Sequence, residues 1–392
     1  MPSVNPAMLV WARQTSGLTV DKAAERAGLK EAFGRTGAER LTALEAGKEN
    51  PTRTQIMDLA KAYRRPLLTF YMSKPPVESD RGEDFRTFSG PRPQDMEGLL
   101  DALLRDVRAR HLVVQDVVAD DEEAAQVSFV GSVSSKSGAV AVSKVLRRLI
   151  PITVMELRRE RLPEAMFARL RKAVEALGVF VLLVGDLGNH VTTIDTSVFR
   201  GYAIADKVAP FIVINDKDTK TAWSFTLLHE MAHLILGASG ISGDTLAGSP
   251  VEQICNQVAS SFLLGDDELP EAARAIRDLS VDTALPLLIS FAEERKVSPD
   301  LVAYRLLRSG AITEAAWNEV RIALRDRLEA IRKTRPEQKG GGGDFYRVRR
   351  QRLGGLVDFA RRALAQGSLT PSKAGLVLGV KPRMVQTLVG YG

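Results

Sequence analysis

Phe225-Thr226-Leu227-Leu228-His229-Glu230-Met231-Ala232-His233 is the stretch of this 392-residue chain that decides how the rest is read. On a helix, residues four apart share a face, so His229 and His233 aim two imidazoles at one point, as a tetrahedral zinc ion requires. Glu230 lies where it can reach a water at such a centre as a general base. Phe225, Leu228, Ala232 and Ile235 predict a core stripe, with Ala222, His229 and His233 on the neighbouring face and Gly237 as the helix stop. The bland alternative is a pair of core histidines with hydrogen-bonded nitrogens.

A zinc centre needs a third protein ligand, and Glu252 is the candidate, 19 residues after His233. The spacing predicts a helix over 251–264, with Val251, Cys255, Val258 and Phe262 as its buried stripe and Glu252, Asn256 and Ala259 on the adjacent face. Cys255 reads as packing. Asn256, one turn beyond Glu252, reads as support for the ligands. If the centre performs acyl transfer, a donor must also face the developing oxyanion; Tyr202, His190, Arg200 and Asn256 are the candidates. The remaining histidine, His111, sits on a helix rich in Arg and Val and reads as a surface or satisfied side chain.

Working outward, the composition is that of a globular chain, 45% hydrophobic and 26% charged, which excludes wholesale disorder. One cysteine excludes an intrachain disulfide and makes the reducing cytoplasm the expected compartment. No apolar run approaches the roughly 18–20 residues needed to span a bilayer, so no membrane partner is expected. Residues 1–17 lack a basic segment followed by an apolar one, so no signal peptide is expected.

The chain is too long for one ordinary core. Residues 1–75 predict a small all-helical domain, with Gly28 and Gly47 as helix stops and Thr52-x-x-Gln55 as a capping box. Residues 76–155 read as linker and helical connector, including a helix over 94–118 and a Ser/Gly-rich stretch over 131–137. Residues 156–270 carry the metal motif, with strands over 179–184 and 211–214. Residues 271–335 read as a helical extension, and the glycine run 340–343 precedes a basic helical tail, 340–392. No internal repeat is present. The expected fold is α+β and mostly helical.

The net charge of +6 comes from 54 basic and 48 acidic residues. Residues 340–392 hold nine basic residues against Asp344 and Asp358, a net of +7, so the tail accounts for the whole excess. Such a tail reads as a nucleic-acid footprint or, more blandly, as a solvated surface or a dock for the acidic patch over 120–123. Thr370, Pro371, Gly375, Gly379, Pro382 and Val385 also carry the spacing of a helix-turn-helix. A helical hairpin docked on the preceding domain is the alternative, and Gly375 argues for it by weakening the first helix.

The run Phe225 to His233, followed by Glu252-Gln253-Ile254-Cys255-Asn256, resembles the ImmA/IrrE-type zinc metallopeptidases. Phe199-Arg200-Gly201, Ala209-Pro210 and Ile214-Asn215 are similar to segments upstream of that motif in longer members. Leu44-Glu45-Ala46-Gly47 and Pro51-Thr52 resemble an XRE-type helix-turn-helix, and Tyr63-Arg64-Arg65-Pro66 and Asp84-Phe85-Arg86-Thr87 are similar to the two-domain XRE–ImmA/IrrE proteins. Leu44 stands where the family has tryptophan. Ala24 and Gly28 fit the helix-turn-helix spacing, but position 34 is glycine, and 30–37 reads as an insertion before the second helix.

The resemblance implies a zincin-like domain in which His229, His233 and Glu252 hold Zn2+ and Glu230 is the catalytic base. It implies a narrow protein substrate, usually a helix-turn-helix repressor whose cleavage relieves repression under stress or in a mobile element. Double-stranded DNA is a further expected partner, with Arg40, Lys48, Arg53, Lys381 and Arg383 as contact candidates. The alternative is a non-proteolytic DNA-binding regulator, or a toxin–antitoxin component, with a structural or sensory zinc site.

Overall fold

A computed structural model describes residues 3–76, 83–84, 94–121, 126–243, 249–277, 279–334 and 344–390. The molecule is mostly helical with one small sheet, an α+β arrangement. It divides into two compact units. The first comprises Met1–Arg81, Phe88–Arg108 and Asp186–Val198; the second comprises Gly82–Thr87, Ala109–Gly185 and Phe199–Gly392. This differs from a simple succession of segments, because residues after 75 belong to both units and the basic tail belongs to the second.

The first unit opens with α1 (Pro6–Gln14), α2 (Val20–Arg26), α3 (Gly37–Glu45) and α4 (Arg53–Tyr63). Leu9, Leu41, Ile56, Leu59 and Tyr63 form its core. Capping boxes open α3 (Thr36 with Glu39) and α4 (Thr52 with Gln55), each satisfying amides that have no partner inside the helix. The segment before α3 makes a tight turn closed by a bridge between Ala32 and Arg35. The long helix α5 (Gln94–Ala119) runs from the first unit into the second.

In the second unit, α6 (Gly138–Leu149), α7 (Val154–Arg158) and α8 (Pro163–Glu175) precede the centre of the sheet. The strands are β1 (Glu83–Asp84), β2 (Phe180–Leu183), β3 (Gly201–Ile204), β4 (Phe211–Ile214) and β5 (Gly240–Ser242), in the order β1-β5-β3-β4-β2. β2 and β4 are parallel, β3 is antiparallel to β4 and β5, and Gly201 stands opposite both Ile214 and Ser242.

Between β4 and β5 lies α9 (Lys220–Leu236), and β5 is followed by α10 (Pro250–Leu263). Leu227, Leu228, Met231, Ala232, Leu234 and Ile235 of α9 share one core with Val181, Leu183, Ala203, Ile212 and Ile214 of the sheet and with Val258 and Phe262 of α10. The sequence reading of α9 as a helix with one buried stripe needs correction. It is buried nearly all round from Ala222 to Ile235, which a helix with so few polar residues tolerates. Helix α6 also packs into this core through Val142 and Leu146, so the domain begins upstream of residue 156.

The remaining helices are α11 (Leu269–Ile276), α12 (Val281–Arg295), α13 (Pro299–Arg308), α14 (Glu314–Thr334), α15 (Phe345–Leu353), α16 (Gly355–Ala365), α17 (Pro371–Leu378) and α18 (Pro382–Gly390). The glycine run 340–343 lies outside the described residues. The tail is docked within the second unit. The buried Arg171 guanidinium of α8 donates to Val181 O of β2 and, at 2.6 Å, to Gln351 O of α15. Arg352 pairs with Asp216 at 2.6 Å, and Phe180 meets Phe359 edge-on at 5.4 Å. Of the acidic patch, Asp120 and Asp121 share a cleft with Arg362, and Glu122 and Glu123 lie outside the described residues. Among the described residues no helix is long and apolar enough to cross a membrane.

Candidate metal centre

Helix α9 ends at Gly237, whose φ of +70° reverses the chain, and the Ala238 amide closes the end by donating to His233 O at 3.0 Å. Two residues later β5 begins, so this reversal lays Ser242 back against the helix. Helix α10 starts at Pro250 with Ser249 as N-cap, its hydroxyl accepting from the Glu252 amide at 3.4 Å. Glu252 therefore sits in the first turn, where the helix dipole favours a carboxylate.

These turns bring four polar side chains together inside the protein. His229 is 4% exposed, Glu230 and His233 0%, and Glu252 2%. The Nε2 atoms of His229 and His233 are 3.1 Å apart. Glu252 Oε1 is 2.8 Å from His233 Nε2, and Oε2 is 3.3 Å from His229 Nε2. In a tetrahedral zinc site with bonds of about 2.0–2.1 Å, donor atoms stand about 3.3–3.4 Å apart. The three side chains thus already stand near the edges of such a tetrahedron. The set of two imidazoles and one carboxylate is also of the type that zinc accepts.

The electrostatics follow from enclosure. Burial opposes ionisation of Glu252, but His229 and His233 outweigh it and hold the carboxyl down to about 2. Burial would lower His229, and Glu252 reverses that and raises it, with Asn256 acting in the same direction. Glu230 behaves oppositely to Glu252. Burial pushes its carboxyl up to about 8, against a lowering by His229 and with a further push from Glu252. The Ser242 hydroxyl is the one side-chain hydrogen-bonding group that acts on Glu230, lowering its pKa, and among the described residues no closer bond holds either Glu230 oxygen. A carboxyl group with no exposure and so little to hold it is costly, and such groups are kept where they act on something else.

Three residues that sequence reasoning did not assign to the site stand beside it. Ser242 Oγ is 3.4 Å from His233 Nε2. Gly201 of β3 backs Glu230, and a Cβ there would collide with the Glu230 carboxylate and with Thr226. Cys255, read as packing, is fully buried, yet its sulfur and one ring nitrogen each of His229 and His233 all lie within 4.8 Å of one another. Burial raises its thiol well above the ordinary value. The sequence signal for Cys255 was its place one turn after Glu252; Ser242 and Gly201 lie on strands that the sequence did not reveal.

The other candidates separate. Asn256 is buried beside His229. Tyr202 is buried, but strand alternation turns it to the face of β3 opposite Gly201 and hence away from Glu230. Arg200 is 3.6 Å from Asp218, with its amide donating to Ser242 O. The side chain of His190 lies outside the described residues. His111 is buried, with its ring edge-on to Phe211. Arg40 donates to Lys30 O at 2.6 Å, whereas Lys48, Arg53, Lys381 and Arg383 are exposed.

Residues 184–307 match the family model described as the IrrE N-terminal-like domain, of the peptidase M78 family. The matched segment runs from the end of β2 through α13 and holds the whole constellation. No curated protein and no solved structure matches the chain. The match supports an ImmA/IrrE-type peptidase domain, and that family implies a metallopeptidase. It does not extend to residues 1–75 or to the basic tail.

Proposed function

We propose that this chain is a zinc-dependent endopeptidase with a zincin-like catalytic domain. The reading rests on the fully buried Glu230 carboxyl beside the convergent His229, His233 and Glu252. His229, His233 and Glu252 would hold the metal, and Asn256 would support His229. When bound, zinc supplies Lewis acidity to the scissile carbonyl and to the attacking water. Glu230 takes the proton from that water as its oxygen bonds to the carbonyl carbon. It then delivers the proton to the amine nitrogen as the C–N bond breaks. Gly201 leaves room for Glu230 to hold this position.

The substrate we propose is a helix-turn-helix repressor, cut to relieve repression in stress or mobile-element control, with the XRE-like N-terminal unit bringing the peptidase to the repressor or its DNA. The test is co-expression with repressors encoded beside this chain, comparing wild type with Glu230→Gln. Cleavage by wild type alone, with equal zinc in both proteins, is expected. An intact repressor in both would overturn the reading.

One observation favours the alternative, a non-proteolytic regulator with a structural zinc site. Cys255 could supply a fourth donor, and a closed set of four protein ligands leaves no position for water. Against it stands Glu230, which a structural site does not need.

A further inference from the structure

We infer that the α17–α18 pair is a DNA-docking element, a helix-turn-helix that presents α18 to double-stranded DNA. The inference goes beyond the peptidase reading and does not depend on it. Helices α16, α17 and α18 pack on one another around Val357, Ala360, Val377, Val385 and Leu388, all nearly fully buried. Three residues, Gly379, Val380 and Lys381, join α17 to α18. Gly379 caps α17 with a φ of +61°, a conformation suited to glycine.

Gly375 then acquires a reason. A Cβ there would lie 2.9 Å from Val380 O and 3.3 Å from Pro382 N, so the turn folds directly onto α17 at that residue. Gly375, which by helix propensity alone weakens α17, is thus the residue that admits the turn. Gly375 permits the close crossing, Gly379 makes the reversal, and Val385 is the buried aliphatic of the second helix. Arg349 fixes the turn from behind, donating to Leu378 O at 2.9 Å and to Gly379 O at 3.0 Å.

The exposed face of α18 has the chemistry that a duplex requires. Arg383, Gln386 and Thr387 lie at helical spacing on one exposed stripe, opposite buried Val385, Leu388 and Val389. Arg and Gln are side chains that pair bidentately with guanine and adenine edges in the major groove. Lys381 is exposed at the entrance to the helix, placed for a phosphate. No acidic residue occurs after Asp358 in the whole sequence, so nothing on this element repels the duplex. Lys373 is turned to another partner, at 3.6 Å from Asp116.

The experiment is fluorescence anisotropy of the full-length chain with a labelled mixed-sequence duplex of about 30 base pairs, over a salt series beginning near about 50 mM. Wild type is compared with Lys381→Ala/Arg383→Ala and with Lys48→Ala/Arg53→Ala in the first unit. Zinc content and melting temperature serve as folding controls. The inference predicts that the Lys381/Arg383 variant binds about tenfold or more weakly, with a log–log salt slope reduced by about 1–2. It also predicts that this variant keeps its zinc. An unchanged affinity and slope, loss confined to the Lys48/Arg53 variant, or no binding by wild type at the lowest salt would overturn it. The last outcome would leave an acidic protein surface as the occupant.

Discussion

Two helix pairs in this chain put glycine to the same use and charge to opposite uses. Beside α9 and α10, Gly201 leaves room for the Glu230 carboxylate; between α17 and α18, Gly375 leaves room for the turn. At the first, the ionisable groups point inward and are all but unexposed. At the second, Lys381 and Arg383 point outward. A charge inside a protein is held by specific partners or shifts its pKa, whereas a charge outside acts at a distance and is screened by salt. The difference teaches that the inner pair is read through geometry and the outer pair through ionic strength.

The largest effect is expected from removing one partner of the inner set. His233→Ala leaves Glu252 Oε1 without its 2.8 Å neighbour in a buried setting. It should abolish stoichiometric zinc and destabilise by about 3–5 kcal/mol, read by metal analysis and denaturant unfolding. Retained zinc at wild-type stoichiometry would break the contrast.

The two glycines come next. Gly201→Ala should lower stability by about 1–3 kcal/mol, because buried Glu230 has little freedom to yield. Gly375→Ala should cost less, since its nearest contact would be 2.9 Å and the turn lies near the surface. Equal shifts in the unfolding midpoint would mean that enclosure does not matter to the first.

Cys255→Ser tests the edge of the inner set. If Cys255 only packs, zinc stoichiometry stays at the wild-type value and stability falls by about 1 kcal/mol, the order expected when a slightly polar group replaces a buried thiol. Loss of zinc would make the thiol a ligand.

The smallest effect belongs to an exposed carboxylate that shows the surface behaviour alone. Glu156 accepts from the Thr153 amide at the start of α7, which lowers its pKa. A lowered acid stabilises above its ordinary range and loses that contribution as the pH falls through its folded-state value. Glu156→Gln should therefore narrow the stability difference from wild type as the solution is acidified, measured by thermal melts across pH; a difference that grows on acidification would contradict the cap.

Much of the inner site was legible because it depends on local spacing. Four residues make one helical turn, so His229 and His233 had to meet, and Gly237 and the first turn of α10 gave the placement of Glu252. The strands were harder. β3 and β5 are four and three residues long and fully or almost fully buried, so neither shows the alternation that marks a strand. The place of Gly201 beside Glu230 and that of Ser242 beside His233 were hidden for that reason, and so was the face of Tyr202. The outer pair shows the converse. Its spacing was visible, but the meaning of Gly375 depended on Val380 folding back, a contact that propensity does not encode. In the first unit, Ala24 and Gly28 gave a similar signal, and a bridged turn at Ala32 and Arg35 lies between α2 and α3.

The most direct test of the central claim is the X-ray absorption spectrum of the zinc-loaded, full-length chain at the zinc edge. A centre held by His229, His233 and Glu252 predicts about one zinc per chain, two imidazole scattering patterns, a nitrogen and oxygen shell at about 2.0–2.1 Å and no sulfur. A sulfur shell at about 2.3 Å, or a chain that binds no zinc, would contradict it.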